Sequence, residues 1–336
     1  MDERHVFLAF LGTNPYSWVE AYQPLEGEVE TGRQRYTQVA RVKAITEMLG
    51  HQNKQLDRVV VFVTSDACKK NWKSDGMPLP KDEGDRDAVT GKGCWTGLLE
   101  SIALSESGVT PMPDIECEPI PEGRTSDELW KIFNAVQEQI EPGDIVYVDV
   151  THGFRTLPLL MILALDYVVR AKGATVAQIT YGAFEAEDRN SHVARPTWDF
   201  LPFFGIRDWT AALAQLRQRG DLELFGEHAR QRASEASKSA FREAAASVDE
   251  GSSKKDRESA FRAARQVERE TVQPELRRVA EALHELGDCT ERARLHALPN
   301  TAYKALRAIE AALALEKEPP DFAPLKPVLA AVKSDL

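Results

Sequence analysis

The 336-residue chain is poor in cysteine, and its four, Cys68, Cys94, Cys117 and Cys289, lie far apart. Neither a zinc knuckle nor a redox pair is spelled out, and ordinary reduced thiols are expected. Long apolar runs are also lacking. The longest, Leu157 to Val169, contains Asp166 and falls short of the roughly 20 residues that span a bilayer. The N-terminus has acidic residues where a signal peptide would carry basic ones, and its apolar run breaks at Gly12, so a soluble cytoplasmic protein without a membrane partner is expected. Positive charge is scarce, with 42 Lys and Arg against 53 Asp and Glu. The excess of acid lies wholly in residues 1–205, which hold 20 basic and 31 acidic residues, whereas residues 206–336 hold 22 of each. A broad basic face that coats duplex DNA is thereby excluded, although a small positive pocket is not. GxSxG, HExxH and Walker motifs are absent, and acidic pairs such as Asp85/Asp87 and Glu185/Glu187 fall in loop-like sequence. No metal site and no cofactor are expected.

What is present is globular in composition, 43% hydrophobic and 28% charged. The runs 6–11, 59–64, 145–150 and 175–181 are short, apolar and β-branched, as buried strands of a parallel sheet require. Helical patterns lie between them: 36–49, with Val39, Val42, Ile45 and Leu49 on one face, 125–140 behind a Ser/Thr/Asp cluster, and the nearly all-apolar 157–170. Alternation of this kind predicts right-handed βαβ units, hence a Rossmann-like, doubly wound α/β domain over residues 1–205. The tract 70–94, rich in Lys, Asp, Gly and Pro, is expected to be a surface loop. Beyond Phe204 the sequence becomes rich in Ala, Glu, Arg, Leu and Gln, which predicts helices over 207–248 and 256–316, a loop at 248–257 and a short final helix near 325–334. The second domain, 206–336, is therefore all-α.

Ligands of open α/β sheets bind outside the carboxyl ends of the strands. Three strand ends here are polar: Gly12-Thr13-Asn14-Pro15-Tyr16, Thr64-Ser65-Asp66, and Asp149 to Thr156. In the third, Gly153 lets the backbone approach a ligand while Thr151, His152, Arg155 and Thr156 offer donors at the mouth of a helix. That combination suits an anionic, phosphate-bearing ligand. The competing reading, left open by the pattern, is structural: Asp149 caps a turn and Arg155 pairs with it.

LGTNPY, the helix around Tyr36-Thr37-Gln38, the run VFVTSDACKKNW (61–72), Pro121-Glu122-Gly123 and above all VYVDVTHGFRTLPLL (146–160) resemble the CRISPR-associated proteins with a CARF sensor domain. More narrowly, the chain is similar to the branch in which CARF is usually followed by a helical HEPN ribonuclease domain. The D-x-T-H-G-F-R-x-L-P string is specific, and the segments together cover most of residues 6–185. The resemblance implies a ligand, a cyclic oligoadenylate made by a type III CRISPR complex, and a C2 homodimer with the adenylate ring across its axis. The pocket positions of the family match Gly12, Thr13, Asn14 and Tyr16 on the first loop, Thr64 and Ser65 on the second, and Thr151, His152, Gly153, Arg155 and Thr156 on the third. Asp149 is expected to orient the loop rather than touch phosphate.

For the second domain the resemblance implies a metal-independent site built from an R-x4-6-H motif of each protomer, His acting on the 2′-hydroxyl or leaving oxygen and Arg steadying the phosphorane charge. Arg278 and His284 satisfy R-x5-H, and Arg277 satisfies R-x6-H. The family's polar residue after the Arg is replaced by Val279, and Arg292 with His296 has one residue too few between. His228 has no Arg at the right distance upstream. With 15 Arg and three His beyond residue 205, such spacing also arises by chance, and a solvated helix face is the alternative. The expected function is a cyclic oligoadenylate sensor of antiviral defence controlling a helical effector that cleaves single-stranded RNA. Two rivals stand beside it. One is a non-catalytic module that recruits a partner or oligomerises; the other is a ring nuclease in which pocket hydroxyls and His152 align the ribose 2′-OH.

Overall fold

A computed structural model of the chain describes residues 3–14, 16, 19, 21–25, 27–72, 93–103, 112–186, 194–219, 226–228, 259, 262, 273–291, 297–314 and 325–335. It divides into two compact units, Met1–Leu201 and Pro202–Leu336, against the boundary at 205/206 drawn from the change in sequence texture.

The first unit is built on a six-stranded sheet, β1 (His5–Phe10), β2 (Arg58–Val63), β3 (Asp114–Pro119), β4 (Ile145–Asp149), β5 (Thr175–Gly182) and β6 (Thr197–Asp199). Spatial order is β3-β2-β1-β4-β5-β6, parallel throughout except for β6, which runs antiparallel to β5. This is the Rossmann-like arrangement expected from the alternation of strand and helix patterns. β1, fully buried on both faces, sits at its centre because VFLAF offers no polar side chain to either layer. Helices α1 (Thr37–His51), α2 (Ser65–Ala67, continued by a π turn Cys68–Trp72), α3 (Cys94–Ala103), α4 (Ser126–Glu138) and α5 (Thr156–Lys172) supply the crossovers. α4 starts where Thr125 accepts a hydrogen bond from the Glu128 amide, and α5 ends at Gly173 in the left-handed conformation.

One sequence expectation is corrected. The tract 70–94 is not a surface loop at its ends: Asn71 and Trp72 are buried in the π turn, Cys94 is buried at the start of α3, and Trp72 packs on Trp95 at 5.5 Å. Apolar anchors inside a charged tract were outvoted by its average composition. Residues 73–92 lie outside the described residues.

The second unit is helical: α6 (Leu201–Arg219), α7 (Gln273–Glu291), α8 (Leu298–Leu313) and α9 (Lys326–Asp335). Trp209, Val279, Leu283, Ile309, Leu329 and Val332 form its common core. Pro299 and Pro327 occupy first turns, where a missing N–H costs nothing. The tract 248–257 lies outside the described residues.

Candidate functional site

The sheet's order reverses between β1 and β4, and the loops leaving these neighbouring strands diverge to opposite faces. A cavity of about 660 Å³ opens there. Nine of the eleven residues expected from sequence line it: Gly12, Thr13, Asn14, Tyr16, Thr64, Thr151, His152, Gly153 and Arg155. Ser65 and Thr156 are exposed and do not, because each is the first residue of a helix that leads away from its strand end.

The third loop is shaped by Gly153. Its φ is +118°, and a Cβ there would stand 3.1 Å from the Leu157 side chain and 3.3 Å from Phe10 Cβ, so only glycine fits. Asp149, 1% exposed, accepts a 2.9 Å hydrogen bond from the Thr151 amide and another from the Thr151 hydroxyl. The Thr151 oxygen in turn accepts from the Gly182 amide at 2.7 Å, tying β4 to β5. The Thr151 hydroxyl proton is thus committed to Asp149, which corrects the expectation of a free donor. Asp149 orients the loop as expected. It is joined to Thr151, and no pair between Asp149 and Arg155 forms among the described residues; Arg155 lines the cavity at the start of α5. α5 begins beside the same mouth, where the positive end of its dipole favours negative charge; Pro158 has no N–H and the Leu157 amide donates to the Phe154 carbonyl at 2.8 Å, so few of its first amides remain open.

The first loop is fixed from three sides. Tyr16 accepts a 2.8 Å hydrogen bond from the Gly12 amide, and its ring meets the edge of His152 at 4.4 Å. Burial pushes the Tyr16 phenol well above its ordinary range, leaving a neutral hydroxyl. Arg35 Nε donates to the Tyr16 carbonyl at 3.0 Å. From the π turn, Asn71 Nδ2 donates to the carbonyls of Gly12 and Asn14 at 2.8 and 3.0 Å. An α-helical continuation of Ser65–Ala67 would aim position 71 elsewhere, so the extra residue of the π turn is what brings this amide to the loop.

Sequence reasoning missed eight lining residues: Leu11, Phe154 and Leu157 beside the expected loops, Tyr22 and Arg35 from the connection between β1 and α1, and Tyr181, Gly182 and Phe184 from the end of β5. The usable signal was length. Twenty-six residues separate Phe10 from Thr37, where such connections usually take about two to six. This segment folds back on itself through a pair of Val19–Gln34 hydrogen bonds, is tied to Arg195 through Ala21 and Gln23, and is anchored by Glu28. The Glu28 side chain is fully buried and accepts from Arg41, Gln178 and the Leu25 amide. Burial alone would raise its carboxyl, but those donors and the Arg41 charge hold it below the usual carboxylate range. None of the described lining residues is acidic, while Arg35 and Arg155 are cationic.

In the helical unit, Arg278 and His284 are both exposed on α7, which is continuous through them. Six residues along a continuous helix set two side chains about 120° apart in azimuth and about 9 Å apart in rise. Arg277, seven residues from His284, shares its face. Gly226 packs on the His284 backbone, and Trp209 lies 6.2 Å from His228. Arg292 and His296 lie outside the described residues. Among the described residues no cluster of three His, Cys, Asp or Glu could hold a metal ion, and no helix is long and apolar enough to cross a membrane.

No family model matches the chain. A CRISPR-associated protein of Methanocaldococcus jannaschii is 24% identical over 194 residues, a match covering 51% of this chain and 30% of the relative, so the chain spans under a third of that relative's length. This distant similarity supports a CRISPR-related role.

Proposed function

We propose that the chain is a CARF-type sensor whose α/β unit binds a cyclic oligoadenylate and transmits the event to its helical unit. The observation that carries this reading is the cavity at the sheet's switch point. Three strand ends, the start of α5 and two arginines converge there without an acidic residue among the described lining, in a unit that is otherwise strongly acidic. A compact phosphate-bearing ligand is what such a lining selects. The similarity to a CRISPR-associated protein supports the biological setting.

The exposed surface next to the cavity supports a paired arrangement. Phe154 lines the cavity and is itself exposed, and along the adjoining helix Leu159, Leu163 and Tyr167 are exposed at intervals of four. Phe133 stacks edge-on to both Tyr167 and Trp130, each at 5.7 Å, which extends the apolar stripe onto α4. A second copy seated on this stripe covers the apolar surface and brings two cavities side by side under one ring. Ligand binding then controls the helical units by favouring one dimer arrangement over another.

For the helical unit, the effector is an endonuclease acting on single-stranded RNA, with Arg278 and His284 as candidate groups. The 120° offset of these two on one continuous helix favours a second reading, in which the helical unit recruits a partner or oligomerises without catalysis. Calorimetric titration with cyclic tetra- and hexa-adenylate, followed by incubation of the loaded protein with labelled RNA, separates these. Absence of binding by any ring overturns the sensor. Binding with RNA cleavage that His284→Ala abolishes supports the nuclease, whereas binding without cleavage leaves the recruiting module. An intact ring after long incubation excludes the ring-nuclease reading.

A further inference from the structure

The cavity has a polar and an aromatic part to its lining, and the three polar strand ends account only for the first. The aromatic part is made by Tyr22 of the long β1–α1 connection and Phe184 just after β5, which packs on the cluster of Tyr22, Val19 and Ala40. Its construction is specific. A Cβ on Gly182 would lie 2.8 Å from Tyr22 Cε1 and 2.9 Å from Thr37 Cγ2, so glycine at 182 is what lets the tyrosine ring lie flush on the strand end. Phe184 is backed by the Arg195 guanidinium, 5.1 Å from its ring centre, and Arg195 is itself buried. The Tyr22 strand segment and Arg195 hold each other through the hydrogen bonds from Gln23 to the Arg195 carbonyl and from the Arg195 amide to Ala21, both 2.8 Å. The rings are therefore held in place before any ligand arrives.

A phosphate group has no use for such a wall, since anions are bound by amides, hydroxyls and cations. A flat, aromatic, weakly polar group has. We propose that Phe184, with Tyr22 beside it, is a nucleobase-stacking subsite, and that Arg35, which also lines the cavity, contacts the adjoining phosphate. This inference rests on the reading of the three polar strand ends as a phosphate site and assigns the base-recognising part of it to residues outside those three loops. A fixed ring stacks on a base with little further loss of side-chain freedom, so the wall adds affinity without selecting the sugar or the phosphate.

The test is calorimetric titration of the whole chain with cyclic tetra- and hexa-adenylate, comparing the unaltered protein with Phe184→Leu, Phe184→Tyr and Arg35→Gln. Phe184→Leu keeps apolar bulk but removes the π face, and a loss of at least five-fold in affinity is expected, the lower end of what stacking on an aromatic side chain contributes. Phe184→Tyr restores binding to within two-fold. Arg35→Gln weakens binding and flattens its salt dependence. Thermal unfolding run in parallel is expected to show Phe184→Leu folded at the assay temperature; if it is not, Phe184→Met serves in its place with the same expectation. Should the unaltered protein bind neither ring, the phosphate-site reading itself falls. Should it bind and Phe184→Leu bind equally well, the stacking subsite falls while the sensor stands.

Discussion

Replacing Glu28 by Gln tests whether the long β1–α1 connection is a preorganised part of the site. The carboxylate lies under that connection with its side chain fully buried, and its two oxygens accept from Arg41 Nη1 at 2.8 Å, Arg41 Nη2, Gln178 Nε2 at 2.9 Å and the Leu25 amide at 2.9 Å. Gln preserves the volume, but its NH2 group must face donors, and Arg41, 3% exposed, keeps a positive charge with no counter-charge of equal contact. Removing one partner of a buried pair typically costs about 3–5 kcal/mol; the retained amide hydrogen bonds place this case near ~3 kcal/mol. For a unit of this size, each kcal/mol moves the melting temperature by roughly 2–4 °C, so a drop of about 6–12 °C is expected in calorimetry at pH 7. Replacing both partners, Glu28→Leu with Arg41→Met, recovers most of the loss because no charge is then left buried. The pH dependence has a definite sign. The folded carboxyl lies below its ordinary 4.5, so the stabilisation is complete above that value and disappears as pH falls through the depressed folded value. The gap between parent and Glu28→Gln therefore closes in acid. A melting temperature within about 2 °C of the parent at pH 7, or a gap that widens in acid, refutes the anchoring role.

Two further outcomes follow from the loops themselves. Gly153→Ala puts a Cβ at 3.1 Å from Leu157 in a backbone conformation with φ +118°, and is expected to destabilise the first unit by about 1–3 kcal/mol in denaturant titration and to abolish binding of the adenylate ring. Asn71→Ala removes the hydrogen bonds to the Gly12 and Asn14 carbonyls; at about 1 kcal/mol each, up to roughly thirty-fold weaker ring binding is expected by calorimetry, with unchanged binding counting against this role.

Legibility in the sequence tracked how far each element's fate depends on local pattern. β1, β2 and β4 are buried on both faces or nearly so, and a continuous apolar run announces that directly; β5 is buried over residues 178–180 and was legible from its β-branched residues. β3 was not recognised because it is an edge strand: Asp114-Ile-Glu-Cys-Glu-Pro119 turns carboxylates to one face, the charge that keeps an edge from pairing further, and so reads as a loop. β6 is three residues long and pairs only because β5 is there. The same division runs through the site. Residues immediately after a central strand were found, since strand ends fix where they lie. Tyr22, Arg35 and Phe184, and Asn71 behind the first loop, were not, since each is placed by a partner distant in sequence: Arg195, the Tyr16 carbonyl, Arg195 again, and the Gly12 loop.

The net charge of −11 at first argues against an anionic ligand, and the geometry shows why it does not decide the matter. Acid in the first unit is on surfaces such as β3 and the start of α4, while the groups at the cavity are Arg35, Arg155, backbone amides and the start of α5. Surface charges act through solvent and are screened over roughly 8–10 Å at physiological salt, whereas cavity groups act at contact. The two fields therefore address different ligands. An extended polyanion lying along the surface meets that acid, whereas a compact ring seated over two paired cavities of about 660 Å³ each, as proposed, meets chiefly the cavity groups. On the proposed reading, an acidic exterior around a cavity with no acid among its described lining residues discriminates by the size of the anion, which is the distinction a sensor needs if it is to ignore bulk RNA and respond to a small cyclic nucleotide.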